Sequence, residues 1–518
     1  MDGMTETTLD SGSVRSVRQT VLAMLGLCFV LMLVALDQTV IGTALPTVVS
    51  ELKGFDLYAW VGTAYLLTSV ITVPIFGKLG DEHGRKPFVL VGILLFTVAS
   101  MSCGLAQNMI ELVLARGLQG VGGGILVATT FACIPDLFPD THARLKWQVM
   151  FSTSFGIANA IGPTLGGYLT QYFGWRSVFF VNLPVGLLSL MFVSRYLPRI
   201  RHSPHPPSPL DWVGASLIGL TLGTLQLLVE WWPQHKPAEW LWALGGVSLM
   251  TVLALIWWEP RVRNPILPTA MLRDATLRRL FLLSLAMGFG MFSVMYYAPL
   301  LYQGGLGLSP KEAGLLITPF AVCITVGSIA NGRMVTRIPH PNWMLYLGVA
   351  LFGLATWLLS QQDQHSPRST IMLTMGMGGI GIGVMLPNLT LFTQASAHRT
   401  QLGIATATLQ SMRMIGSMLG TAISGVLITH RYKAEVTHAL SQMGQGQWVD
   451  RFADPQVLVN HSSMGAGVPD ADMITVARSS LISAVHQSHW MVVVLMMLLG
   501  LSLFWLPPLS LKPSTQQA

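Results

Sequence analysis

Apolar runs of about twenty residues follow one another along almost the whole chain, parted by short polar loops. An apolar helix of about 20 residues crosses the ~30 Å hydrocarbon core of a bilayer. The pattern therefore predicts spans near residues 21–45, 57–79, 88–106, 109–133, 147–170, 177–197, 211–231, 240–258, 279–301, 312–332, 343–361, 370–394, 402–429 and 490–509, fourteen in all. An even number places both ends of the chain on one side of the membrane. Met1 to Gln19 is polar and passes straight into the first run, which is longer than a signal-peptide core and has no good small-residue cleavage site. It reads as an uncleaved first span.

Three segments break the rhythm. "RIRHSPHPPSPLDW" (Arg199 to Trp212) is Pro-rich and basic, a stiff linker after the sixth span. "EPRVRNPILPTAMLRDATLRR" (Glu259 to Arg279) is a second linker, expected to carry a short amphipathic helix on the membrane surface. His430 to His489 is the longest loop, and "ADMITVARSSLISAV" within it has a helical period that suits the interface. The two linkers isolate spans seven and eight between two groups of six, the pattern of an internally duplicated chain with two added helices. The expected units are a cytoplasmic tail (1–20), a six-helix bundle (21–198), a linker with the two inserted helices (199–258), a cytoplasmic linker (259–278), a second six-helix bundle (279–510, including the outer loop 430–489) and a cytoplasmic tail (511–518).

Composition strengthens this picture: only 10% of residues are charged, against roughly 25% in soluble domains. The formal net charge of +7 does not mark a nucleic-acid binder, because Lys and Arg are scattered over short loops. Their distribution sets orientation instead. With the N-terminus inside, the inner loops hold Lys78, Arg85, Lys86, Arg144, Lys146, Arg195, Arg333, Arg337 and Arg399 among others. The short outer loops hold only Lys53, Arg176, Lys236, Lys311 and Arg368. Cys28, Cys103, Cys133 and Cys323 fall inside apolar runs without metal-ligand or disulfide spacing, so they read as small core residues.

"LVALDQTVIGTALP" (Leu33 to Pro46) puts a carboxylate, Asp37, inside an otherwise apolar span. Ionisable groups within spans face interiors or wet cavities and are functional candidates. Asp37 lies about 24 Å above the inner end of its span and Arg116 about 10 Å below the outer end of the fourth, at 1.5 Å per residue, so the two share a depth and can interact if their helices are neighbours. Desolvation favours the neutral form of a carboxylate and a nearby cation the ionised form. A changing distance between them during rocking would therefore couple protonation to conformation. The competing reading is a static pair that only fixes helix packing.

"GKLGDEHGRKP" (Gly77 to Pro87) follows the second span. Gly77 and Gly80 let helices approach, Asp81 accepts hydrogen bonds, Gly84 permits the sharp turn, and Arg85 and Lys86 sit where inner-loop cations belong. This resembles the loop motif of the major facilitator superfamily, with Glu82 departing where that family usually carries a cation. "LDQTVIGTALP", "AWVGTAYLLT" (Ala59 to Thr68), "LARGLQGVGGG" (Leu114 to Gly124), "GPTLGG" (Gly162 to Gly167), "GWRSVFFVNLPVG" (Gly174 to Gly186) and "LDWVG" (Leu210 to Gly214) resemble segments of its fourteen-span drug:proton antiporters. The resemblance runs from about residue 21 to 430. It implies an all-α polytopic membrane protein with the major facilitator fold, two six-helix bundles plus two inserted helices, and coupled export activity.

In "GPTLGG", Gly162, Gly166 and Gly167 form a small-residue face for close helix packing and Pro163 favours a kink. The family's motif extends to a glycine where this chain has Ala158. "ANGRMVTRIP" (Ala330 to Pro339) looks like a degenerate copy of the loop motif, with Thr336 near its acidic position. No Asp or Glu lies deep in spans nine to fourteen, so proton handling is expected from the first half. Arg413 in "LQSMRMIGSMLG" lies near mid-depth, either held by backbone carbonyls or facing the cavity. Trp60, Tyr65, Asn159 and Gln410 are the other candidate cavity residues. One deep carboxylate suits monocationic or neutral lipophilic compounds better than dications.

The expected activity is proton-driven export of lipophilic small molecules or drugs by alternating access, with Asp37 carrying the proton and Arg116 tuning it. The alternatives are an exporter dedicated to one metabolite, such as an amphipathic acid or a siderophore, and a non-transporting membrane receptor. No metal cluster, nucleophile elbow or phosphate loop appears, so neither an enzyme nor a cofactor is expected; the energy source is the proton gradient. Membrane lipid and protons are the expected partners. Relatives sometimes work with a periplasmic adaptor, and the outer loop is where one would dock. Compact loops favour a bacterial inner membrane, spanned many times, with both termini cytoplasmic.

Overall fold

The computed structural model describes residues 17–505 apart from short internal stretches (131–132, 134–136, 138–140, 199–210, 232–236, 263–268, 336, 339, 398–401, 454 and 460–470). Arg15, Thr336, most of the Pro-rich linker, part of the second linker and the tail with Lys512 lie outside the described residues. So do the side chains of Lys78, Asp81 and Glu82.

Fourteen long helices and no strand occur among the described residues. They are α1 (Val17–Leu52), α2 (Tyr58–His83), α3 (Arg85–Leu105), α4 (Met109–Thr130) and α5 (Thr141–Phe173). Next come α6 (Ser177–Tyr196), α7 (Trp212–Trp231), α8 (Ala238–Trp258), α9 (Ala275–Leu300) and α10 (Pro310–Met334). The last four are α11 (Asn342–Leu359), α12 (Arg368–Ser396), α13 (Leu402–Gln442) and α14 (Ala471–Leu503). Thirteen of them are long and apolar enough to cross a membrane. The chain is a multi-pass membrane protein.

Helix packing repeats between the halves. In the first, α2 packs on α4, α3 on α4 and α1 on α5; in the second, α10 packs on α12, α11 on α12 and α9 on α13. The halves meet along α5 against α10 and α2 against α13. The inserted pair sits at the rim: α7 touches α2 and α13, and α8 packs mainly on α7, joined by a Thr221–Thr251 hydrogen bond of 2.9 Å. Its outward face is apolar, with Trp240, Trp242, Leu249, Met250 and Ile256 exposed, as lipid contact requires.

With the basic loops taken as inner, the described hydrogen bonds and the ion pair joining the halves gather in the outer half. Tyr58 and Tyr296 each donate to the other's carbonyl at 3.3 and 3.4 Å. Gln303 Nε2 donates to the Thr43 carbonyl at 2.7 Å and Thr47 donates to Gln303 Oε1 at 3.2 Å. Thr164 meets Thr318 at 2.5 Å, and Lys433 faces Asp56 at 3.5 Å. The outer side is closed.

Four expectations change. The segment 430–489 is not one long loop: α13 runs on to Gln442 and α14 begins at Ala471. "ADMITVARSSLISAV" is the first half of α14, not an interfacial helix. Its Met473, Ala477, Leu481, Ala484 and Val485 are buried in the same cluster as Tyr432, Val436 and Leu440 of α13, so two helical stripes cover one another instead of seeking lipid. Among its described residues the second linker holds a 3-10 turn, Glu259–Arg261, and a one-turn helix, Thr269–Arg273, in place of a longer amphipathic helix. Asp274 then caps α9 by accepting from the Thr276 and Leu277 amides, starting that helix at Ala275 rather than 279. Finally, Gly77 and Gly80 mark no close helix approach: a Cβ at Gly77 would meet open space, and one at Gly80 only ordinary contacts to Arg85 and Thr129.

Gly84 does make the turn between α2 and α3, at φ 85° and ψ 148°, a conformation nearly closed to other residues. Beyond it, Lys86 donates to the Ser194 carbonyl at 2.7 Å and ties the loop to α6.

Candidate functional site

Asp37 and Arg116 meet. Arg116 Nη1 donates to Asp37 Oδ2 at 2.7 Å, and both side chains are 2% exposed. Isolated charges at such depth each cost a few kcal/mol even on insertion scales, so the remaining valences must be filled. Asp37 Oδ1 accepts from Gln119 Nε2 at 2.7 Å and from Asn182 Nδ2 at 3.0 Å. Arg116 also donates to Gln119 Oε1 at 2.7 Å and, through Nε, to the Val61 carbonyl at 3.1 Å. Its guanidinium lies 4.6 Å from the centre of the Tyr65 ring. Asn182 reaches Ser100 Oγ at 2.9 Å, and Ser100 donates to the Phe179 carbonyl at 2.9 Å.

Five helices supply this network: α1, α2, α3, α4 and α6. Gln119 stands one turn after Arg116 on α4, so both reach α1 from one face. Gln119 and Asn182 were not singled out from the sequence, although each is a polar residue inside an apolar run of a quoted segment. The signal was the same as for Asp37, without the charge.

The geometry corrects two expectations. All five helices belong to the first half, so rigid rocking of one half against the other leaves the Asp37–Arg116 distance unchanged. Tyr65 is buried against Arg116 and is part of this network rather than a cavity wall.

The network stops one residue short of the interface between halves. Gly62, next to the Val61 carbonyl, packs under the Tyr296 ring of α9, so closely that a Cβ there would come within 2.8 Å of it. Tyr58, one turn away on α2, exchanges hydrogen bonds with the same tyrosine.

The glycines of "GPTLGG" lie at the two contacts of α5. A Cβ at Gly162 would collide with Thr39, and one at Gly166 with Thr43 and the Val40 carbonyl, both on α1. Gly167 faces the Pro310 carbonyl of the other half, and the Pro163 carbonyl faces Gly314. Helix α5 continues through Pro163. Ala158, at the position of the family's extra glycine, is buried.

Trp60, Asn159, Gln410 and Arg413 are half-buried and form no side-chain hydrogen bond among the described residues. The carbonyl contacts considered for Arg413 are therefore not made. Arg85 is half-buried beside Gly80. No group of three or more metal-ligating side chains occurs among the described residues. Glu312 is engaged at the start of α10, in a capping box with Ser309 and an ion pair of 2.7 Å with Arg368.

Two packed six-helix halves, an internal repeat and a buried charge network in one of them define a polytopic membrane transporter rather than an enzyme. The chain belongs to the Major Facilitator Superfamily, whose family model matches residues 27–421. It is 33% identical over 410 residues to the multidrug transporter protein MdtP of Bacillus subtilis, covering 78% of this chain and 75% of that protein. It is 30% identical over 479 residues to multidrug resistance protein 3 of Bacillus subtilis, covering 90% and 91%. Among solved structures it resembles a bacterial homologue of the human lysosomal transporter Spinster in an inward-facing, unoccupied conformation. That match has a TM-score of 0.67 at 15% identity and covers 95% of this chain and 98% of the other.

Proposed function

We propose that this transporter exports lipophilic small molecules across the cell membrane in exchange for protons, by alternating access, with Asp37 as the proton carrier. The observation that carries the reading is a buried intramembrane carboxylate held by Arg116, Gln119 and Asn182. Protonation of Asp37 removes the charge that holds Arg116, and losing one partner of a buried pair costs about 3–5 kcal/mol. Arg116 then loses its fixed hold on the Val61 carbonyl, and the strain passes to Gly62 and Tyr58, which close the outer side against Tyr296. The carboxylate thereby reaches the outer gate without changing its distance to Arg116 through rocking.

The names of the two Bacillus subtilis relatives support a multidrug-type cargo. The skew of Lys and Arg supports both termini on the cytoplasmic side. The test is dye efflux from vesicles under an imposed pH gradient, wild type against Asp37→Asn. Export by wild type only with the gradient, and none by the variant, supports the reading; equal export by the variant makes Asp37 structural.

A further inference from the structure

Near the middle of the spans, the described residues include two arginines. Arg116 is fully paired. Among the described residues Arg413 finds neither an ion pair nor a hydrogen bond for its guanidinium. Its backbone is accounted for: the Arg413 carbonyl packs against Gly288 of α9 and accepts from Ser417 Oγ at 2.9 Å. One turn below, Ser284 Oγ of α9 donates to the Leu409 carbonyl at 2.9 Å. The helix is thus fixed here and the side chain is left over.

Arg413 does not face lipid. Helix α13 is walled by α9 through these contacts, by α14, and by α2, where Met414, Ile415 and Met418 pack into the cluster of Tyr65 and Leu66. Gln410 to Ile415 are nevertheless all half-buried, so accessible surface remains on the helix at this height. A headgroup phosphate is out of reach, because Arg413 stands about 16 Å along the helix from Leu402 at 1.5 Å per residue. Gln410 precedes it by one turn on the same side and is likewise without a hydrogen bond. Asp37 supplies no counter-charge, since its oxygens are taken by Arg116, Gln119 and Asn182.

We infer that Arg413, with Gln410 beside it, is the docking point for the acidic group of an amphipathic organic acid carried as cargo. A guanidinium in an apolar setting favours a planar, doubly accepting anion such as a carboxylate. Met412, Met414 and Phe292 are half-buried at this height and offer an apolar surface for the rest of the molecule. This deepens the export reading by naming the chemistry of the cargo, and it replaces the expectation of monocationic or neutral compounds drawn from the lone carboxylate.

The test is equilibrium binding to the purified full-length protein, without a pH gradient, of dansyl-aminoundecanoic acid and its methyl ester. Wild type is expected to bind the acid at least about tenfold more tightly, the scale of hydrogen bonds to a charged group. Arg413→Gln is expected to abolish that preference, and Arg413→Lys to weaken it severalfold because the forked donor pair is lost. Equal binding of acid and ester by wild type overturns the inference, as does a preference that survives Arg413→Gln. If that variant does not fold, an undiminished preference in Arg413→Lys overturns it. Proton coupling is read separately from gradient-driven flux, so either proposal can fail while the other stands.

Discussion

Asp37 and Arg116, 79 residues apart in sequence, are joined at 2.7 Å, and every group that holds them comes from one half of the molecule. The pair is therefore a device internal to that half. The Val61–Gly62 step of α2 brings it next to Tyr296 of the other half.

Gln119→Leu and Asn182→Leu each remove a hydrogen bond to the ionised Asp37. Such bonds contribute about 1.5–3 kcal/mol. Gradient-driven export is therefore expected to fall at least about tenfold in either variant. Dye efflux from vesicles at matched protein level checks this, and unchanged export would mean that the amides only fill space.

Gly167→Val places side-chain carbons against the Pro310 backbone, which cannot yield. The outer closure should open. In a Thr164→Cys/Thr318→Cys background, disulfide formation across the halves is expected to be efficient, and to fall at least about tenfold when Gly167→Val is added. Unchanged cross-linking would show that α5 and α10 need not separate.

Gln303→Leu deletes both hydrogen bonds to α1 at the outer gate. In a Thr47→Cys background the bond from Gln303 to the Thr43 carbonyl is the one that remains, and its loss costs the closed state about 0.5–1.5 kcal/mol. The cysteine should then react about 2- to 10-fold faster with a membrane-impermeant thiol reagent added outside.

Gly84→Ala forces a side chain into a backbone region reserved for glycine, at about 1–3 kcal/mol. Thermal stability in detergent should drop, and transport with it. Gly77→Ala, where a Cβ meets open space, should leave stability unchanged. Equal effects at the two positions would contradict this assignment of the turn.

How much of this could be read from the chain depends on which residues are considered. Asp37 and Arg116 stand out because a charge in lipid is costly wherever it is placed, and their depths follow from helix rise alone. Gln119 and Asn182 do not stand out, because an amide in a span costs less and has many possible partners. The end of α13 and the start of α14 were missed for a related reason. Tyr432, Val436 and Leu440 lie in a stretch too polar to read as a span, and become a core only against Met473, Ala477 and Leu481.

The sequence by itself determined that this is a helical, multi-pass membrane protein of six, two and six spans with one deep carboxylate, because hydrocarbon thickness and the cost of buried charge act on every segment locally. Only the tertiary structure decided that the Asp37 network lies wholly in one half, that the closed side is sealed by Tyr58, Tyr296 and Gln303, and that Arg413 meets no counter-charge among the described residues. Those depend on which helix faces share a contact, and no single segment contains that information.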